Sequence, residues 1–404
     1  MKVYRVGGAV RDRLLGIPCE DTDFVVVGAT EEEFLQRFPT AQRVGSSFPV
    51  YVVGKSEYAF ARRERKTAPG YRGFEVITDS TVTLEEDLKR RDLTINAMAE
   101  DIETGVIIDP YGGQADLASK TLRHVSDAFV EDPLRLYRVA RFAAKFPDFT
   151  IAPETTVLMK SLVSELDTLS PERVWLECEG ALTSQAPDRF FRVLSEAGAL
   201  DVHFPEIKSL IGVTPGPEYY HEGEGDTFEH TLRVMGRVGS NPLLRFAALC
   251  HDLGKGMTDP ALLPHHYGHD EAGVACVDAL CDRLKVPNSF RMAGELAARY
   301  HMAAAKLPVM RAGKAVMLLK KLRRFPGGGI AGYLTLLYAD AAGKERDLTP
   351  LAPEFERILD IPLPEKHRDL GPKSGEILLT LQAKAFNELR ATHPLLSAEG
   401  KRRE

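Results

Sequence analysis

The sequence has 404 residues, 44% of them hydrophobic and 27% charged, with 52 Lys and Arg against 58 Asp and Glu for a net charge of −6. Domains of about 100–200 residues make two to four units of such a length, and the composition is that of a soluble globular protein. The acidic balance excludes a chain that is basic throughout, yet local clusters (Arg62, Arg63, Arg65 and Lys66; Lys89, Arg90 and Arg91; Arg135, Arg138 and Arg141) leave a polyanionic partner open. No apolar run reaches the ~20 residues of a membrane span, and the N-terminus lacks a signal-peptide layout. Five scattered cysteines (Cys19, Cys178, Cys250, Cys276, Cys281) form no CxxC pair and point to reduced thiols in a cytoplasm.

From residue 3 to about 125, short apolar runs alternate with turn signals, the pattern of a mixed α and β unit. Residues 24–28 and 50–54 are expected to be strands ending in glycine, with a helix over 31–38 between them. Ahead of the first of these strands stand Gly7, Gly8 and Arg11, then Asp21 and Asp23. Period-two geometry puts both carboxylates on one face, where they can share divalent cations, activate a 3′-hydroxyl and neutralise a leaving pyrophosphate. The Gly7-Gly8 turn lets backbone amides approach a triphosphate, and Arg11 can pair with phosphate oxygens. A DxD alone is more often the solvated start of a strand. Glu57, before a second strand, offers a third carboxylate; on its own it reads as an ordinary surface acid.

From about Asp132 the pattern becomes helical: Leu134, Tyr137, Val139, Phe142 and Ala143 fall at helical spacing. Ser170 is an expected N-cap with Pro171 at the first helical position. A Pro/Gly-rich stretch over 212–226 marks a boundary, Pro326–Gly329 a second break, and the Pro-rich 348–364 introduces a loosely attached helical tail.

Glu131, Asp132 and Arg135 open the first of these helices. Asp132 and Arg135 are three apart and share a face. A carboxylate accepts from the exocyclic amine, and a guanidinium donates to the ring nitrogen, that cytosine and adenine both present; uracil and guanine offer the opposite pattern. One Asp–Arg pair thus accepts CTP and ATP. The alternative is a helix N-cap with an intrahelical salt bridge.

Seven of the eleven histidines lie between His221 and His301. His230, the adjacent His251-Asp252 followed by Leu-Gly-Lys, and Asp340 offer imidazole and carboxylate on successive helices, a set that can hold a divalent metal and a hydrolytic water. His269 and His301 are either outer partners or substrate groups of such a site, or satisfied structural histidines.

The Gly-Gly, Arg and DxD stretch, followed in order by residues 84–98, 109–113, 131–138 and 171–177, resembles the polymerase β-type nucleotidyltransferase superfamily. In detail, it resembles the bacterial class II tRNA nucleotidyltransferases, or CCA-adding enzymes. The resemblance runs from residue 2 to roughly 340. The histidine cluster resembles an HD phosphohydrolase domain, which gammaproteobacterial CCA-adding enzymes carry.

The resemblance implies an α+β chain: a polymerase β-type nucleotidyltransferase head over 1–128, an all-α neck and body over 129–215, an α-helical HD domain over 216–345 and a helical tail over 346–404. It implies Mg2+ at Asp21 and Asp23, with Glu57 as a further catalytic carboxylate, and nucleotide contacts from Gly8, Arg11, Arg91, Asn96, Asp132, Arg135 and Arg138, with Asp132 and Arg135 as the base template. At His230, His251, Asp252 and Asp340 it implies a divalent metal such as Mg2+ or Ni2+, with phosphatase, 2′-nucleotidase and 2′,3′-cyclic phosphodiesterase activities. Expected partners are the tRNA acceptor stem, CTP and ATP, without a membrane, and the chain is a monomer or homodimer in the cytoplasm. Residues 63–83 resemble the flexible loop required for the switch from C to A, and are not shortened as in an enzyme that adds only the two C residues. Addition of A alone, a poly(A) polymerase, and a phosphohydrolase with a non-catalytic RNA-binding head are the alternatives.

Overall fold

The computed structural model describes residues 1–18, 22–45, 49–66, 74–77, 79–217, 223–344 and 346–396. Asp21, Cys19 and His221 lie outside them. The chain divides into two compact units, one of Met1–Ala181 with Arg192–Ala199, the other of Leu182–Phe191 with Leu200–Glu404. Among the described residues no helix is long and apolar enough to cross a membrane.

The first unit is built on a seven-stranded mixed sheet. Its strands are β1 (Lys2–Val6), β2 (Asp23–Val27), β3 (Gln42–Val44), β4 (Val50–Val53), β5 (Ser56–Phe60), β8 (Ala99–Asp101) and β9 (Ile107–Ile108), in the order β3-β4-β5-β2-β1-β8-β9. Strand alternation sorts the side chains into two cores. Val3, Val26 and Tyr51 face one side, where Phe34 of α2 (Glu31–Arg37) packs on Tyr51 and Phe60 at ring separations of 5.1 and 5.6 Å. Tyr4, Val6 and Val25 face the other, against Leu84 and Leu88 of α3 (Leu84–Lys89). Both helices start at capping boxes, Thr30 with Glu33 and Thr83 with Glu86, which satisfy backbone N–H groups that the first turn leaves open. Of residues 63–83, β6 (Arg63–Lys66) and β7 (Phe74–Ile77) pair antiparallel. The same unit holds α1 (Gly8–Leu14), α4 (Gly113–Ala118), the parallel pair β10 (Thr121–Leu122) and β11 (Thr150–Ile151), α5 (Leu134–Lys145), α6 (Pro153–Ser161) and nearly all of α7 (Pro171–Leu182). α5 buries the periodic apolar residues that announced it.

The second unit is helical: α11 (Thr227–Arg237), α12 (Pro242–Cys250), α13 (His269–Leu284), α14 (Asn288–Ala304), α15 (Ala312–Leu322), α16 (Gly329–Asp340), α17 (Ala352–Leu359) and α18 (Pro372–Thr392) follow α9 (Leu200–His203) and α10 (Pro205–Lys208), while α8 (Asp188–Ala197) is divided, its residues from Arg192 on belonging to the first unit. The tail is not loosely attached. Phe386 of α18 is fully buried and stacks on Phe355 of α17, and Gln382 donates to the Leu359 carbonyl from a buried position. A single aromatic anchor of this kind is inconspicuous in a Pro-rich stretch because its partner sits on another helix.

Candidate functional site

The two central strands decide the head site. β2 and β5 run parallel with Asp23 opposite Glu57, so both residues stand on one face of the sheet, on strands spaced about 4.8 Å apart. Both are exposed. Two hard oxygen donors facing solvent at neighbouring strand positions suit a divalent ion. Nothing in the chain between them marks this register, because Glu57 reaches Asp23 only after β3 and β4 have intervened.

Beside the sheet, buried Arg11, Asn96 and Asp92 and half-buried Arg138 form a continuous network. Arg11 donates Nη1–H to Asn96 Oδ1 at 2.5 Å and Nε–H to Asp12 at 2.7 Å, with its guanidinium over the Phe142 and Phe146 rings at 5.3 and 5.2 Å. Asn96 in turn donates to Asp92 at 3.1 Å, and Arg138 of α5 donates to the other Asp92 oxygen at 2.7 Å. Burial pushes the Asp92 carboxyl up, but Arg138 and the Asn96 and Leu93 donors more than reverse this and hold it well below the usual range. Asp92 likewise raises Arg138, with Glu177 assisting. Gly8 begins α1, where an added Cβ would lie 3.2 Å from Arg11 Nη2. Arg91 donates to Asp87 at 3.2 Å and to the Asn96 carbonyl at 3.4 Å. Arg11, Asn96 and Arg138 thus belong to one assembly that also fixes Arg91.

Asp92→Asn is expected to lower the unfolding free energy of this unit at pH 7 by about 3 kcal/mol, the lower end for one lost partner of a buried pair, because Arg138 keeps 35% of its side chain exposed. Folded Asp92 titrates below its unfolded value, so its contribution is complete above pH about 3.9 and is lost as pH falls through the folded value. Urea denaturation should therefore show the gap between wild type and variant closing in acid. A gap under about 1 kcal/mol at pH 7 would contradict the assignment.

Asp132 and Arg135 are each fixed by groups outside their own helix. Asp132 Oδ1 accepts from the Leu134 N–H at 3.1 Å and Oδ2 from Arg173 at 2.9 Å. Arg135 is buried and donates to the Ala128 and Arg90 carbonyls at 2.5 and 2.6 Å. Such anchoring fixes where the guanidinium points. Sequence reasoning missed Arg173 and Glu177. They are four apart on α7, hence on one face, and Glu177 accepts from Arg141 while lying 3.6 Å from Arg138.

The second unit assembles six ligand candidates. His230 lies on α11, His251 caps the end of α12 with Asp252 next to it, His269 opens α13, His301 lies on α14, and Asp340 ends α16. Ligand atoms of His230, His251 and Asp340 all lie within 4.8 Å of one another, as do those of Asp252, His269 and His301. The groups adjoin: His251 Nε2 is 3.3 Å from His230 Nε2 and 3.2 Å from Asp252 Oδ2. His269 and His301, left open between outer and structural roles, therefore meet Asp252 as a second cluster, their Nε2 atoms 3.1 Å apart. Gly254 permits the approach, because a Cβ there would lie 2.0 Å from the His269 carbonyl oxygen.

The donor set fits a divalent metal. The Nδ1 atoms of His251, His269 and His301 face the carbonyls of Ala248, His266 and Ala297 at 2.7, 2.5 and 3.0 Å, which places N–H outward and the Nε2 lone pairs inward. Neither buried oxygen of Asp252 has a hydrogen-bond partner among the described residues, although the Lys255 ammonium lies 2.7 Å from Oδ2. Burial lowers the His251 pKa, but Asp252 and Asp340 outweigh it and push it up to about 10. The carboxylates thus favour positive charge at this point, which a divalent cation held by these residues would supply.

Residues 3–123 match the family model described as poly A polymerase head domain, and residues 148–211 the one described as probable RNA and SrmB-binding site of polymerase A. The multifunctional CCA protein of Nitrosococcus oceani is 50% identical over 352 residues, 85% of each chain, and that of Methylococcus capsulatus 44% identical over 99% of this chain and 98% of its own. Among solved structures, a CCA-adding enzyme in complex with CTP has a TM-score of 0.62 at 24% identity, over 95% of this chain and 87% of that one. The Thermotoga maritima CCA-adding enzyme complexed with tRNA has 0.59 at 21%, over 98% and 90%. The fold is therefore α+β, a polymerase-type head followed by helices, and its class is that of the nucleotidyltransferases. The chain belongs to the family of multifunctional CCA proteins, the CCA tRNA nucleotidyltransferases.

Proposed function

We propose that the chain builds the CCA end of tRNA from CTP and ATP and that its histidine–aspartate cluster hydrolyses phosphate esters. The placement of Asp23 opposite Glu57 carries the first reading. The 3′-hydroxyl of the tRNA attacks the α-phosphorus, and pyrophosphate leaves with the cleaved P–O electron pair. Asp21, Asp23 and Glu57 would hold Mg2+, which supplies charge neutralisation and an activated hydroxyl. Gly8 and Arg11 meet the triphosphate; Arg91, Asn96 and Arg138 orient the nucleotide; Asp132 and Arg135 read the base edge. Residues 1–128 form the catalytic head, 129–215 the neck and body along the acceptor stem, 216–345 the phosphohydrolase domain and 346–404 the tail, in a cytoplasmic protein.

The test is incorporation of labelled nucleotide into tRNA transcripts lacking CCA, CA or A, with CTP and ATP supplied separately. Use of both nucleotides in order supports the proposal. ATP added only to a CC end would replace it with A addition alone, and no incorporation would remove it. Arg135→Lys, which loses the planar fork that spans two carbonyls, is expected to cut the preference for CTP over UTP by at least about tenfold in competition assays.

In the second unit, His230, His251, Asp252 and Asp340 would hold one divalent ion, and Asp252 would share a second with His269 and His301, together supplying a hydroxide from bound water for attack on phosphorus. Fixed by carbonyls on their outer nitrogens, the histidines keep their lone pairs directed inward. Release of inorganic phosphate from phosphomonoesters, or opening of a 2′,3′-cyclic phosphate, in the presence of Ni2+, Mn2+ or Mg2+ is the corresponding assay.

A further inference from the structure

His230 differs from the other histidines of its cluster in what stands behind it. Its Nδ1 faces a carboxylate, Glu224 Oε2, at 2.5 Å, where His251, His269 and His301 face backbone carbonyls. Glu224 is itself buried. Its other oxygen receives both terminal nitrogens of Arg237, each at 3.2 Å, and the same guanidinium donates to the Ala339 carbonyl at 3.2 Å. Ala339 directly precedes Asp340. One guanidinium thus ties the carboxylate behind His230 to the helix end that carries another ligand of the same triad.

The opposite triad is built differently. Among the described residues, His269 and His301 have only carbonyls behind them, and Asp252 turns Oδ1 toward them at 3.7 and 3.4 Å. A carboxylate behind an imidazole fixes its tautomer and makes it a stronger donor than a carbonyl does.

We infer that the two metal positions are unequal: the His230, His251 and Asp340 position is the tight one, the Asp252, His269 and His301 position the exchangeable one, and Glu224 is the positioning residue that sets the difference. The inference rests on the reading of the cluster as a metal centre. Arg237 extends it, since it orients Glu224 and the end of α16 together. An enzyme so arranged keeps one ion resident and depends on the free metal concentration for the other.

The metal-stripped full-length protein, titrated with Mn2+ and separately with Ni2+ by calorimetry, reads this directly. Wild type is expected to bind in two classes of different affinity. Glu224→Gln keeps the volume and removes the charge, and is expected to weaken the tighter class about 10–100-fold with the weaker class unchanged. Wild-type protein that binds neither ion would overturn the metal-centre reading and the inference together. Two ions bound by wild type with equal affinity, or a Glu224→Gln titration that matches wild type, would overturn the inference alone. Circular dichroism of the stripped variant establishes that it is folded. If it is not, Arg237→Gln carries the same test, with a smaller loss expected in the same class and an unchanged titration overturning the inference.

Discussion

Asp23→Asn is expected to reduce nucleotide addition on the order of 10³-fold, the scale seen when one group that stabilises transition-state charge is removed. The substitution keeps the shape of the side chain and removes its charge. Asp23 is exposed at the start of β2, so the change has little to unfold. Glu57 stands at the in-register position on β5. Losing one carboxylate lowers the negative charge at that point, and an amide oxygen is a poor ligand for a hard cation. Incorporation into tRNA lacking its CCA end measures the loss, and phosphomonoester hydrolysis by the same preparation is expected to stay unchanged. Addition within tenfold of wild type would remove Asp23 from the catalytic set.

The reciprocal result is expected of Asp252→Asn. Hydrolysis should fall on the order of 10²–10³-fold while nucleotide addition persists. Asp252 is fully buried, and its carboxylate faces the charged and imidazole groups of the cluster. His251 lies 3.2 Å away, His301 3.4 Å and Lys255 2.7 Å. Removing the charge leaves the lysine beside a neutral amide and takes away the carboxylate through which the two triads adjoin. Retained hydrolysis would detach the cluster from the activity. Loss of both activities would show that the substitution reaches beyond its own unit.

Local features were legible wherever the interacting atoms are close along the chain. The helix expected over 31–38 is Glu31–Arg37, begun by Thr30 and Glu33 within a single turn, and the strand expected over 24–28 is Asp23–Val27. The adjacent His251-Asp252 pair needed no fold to be noticed. Glu57 read by itself as an ordinary surface acid; its place opposite Asp23 was not legible, since β3 and β4 are inserted before β5 returns to pair with β2. Arg135 suggested either a salt bridge or a base reader; its anchors include the Arg90 carbonyl, 45 residues away. The tail looked detached because Phe355, which receives Phe386, lies on a different helix.

By itself, the sequence determined the chemistry available to this protein: which residues can hold a metal, pair with a phosphate or read a base, and the order of motifs that marks its family. Side-chain identity and short spacing suffice for that, because a turn of helix or a step along a strand has fixed geometry. Only the tertiary structure decided which of these groups act together. His230 meets Asp340 across 110 residues, and His269 meets His301 across 32. Contacts of that range depend on how helices and strands pack, which spacing along the chain does not specify. The opening pair of aspartates followed the same division: proximity in sequence singled them out, and the parallel pairing of β2 with β5 placed Glu57 beside Asp23.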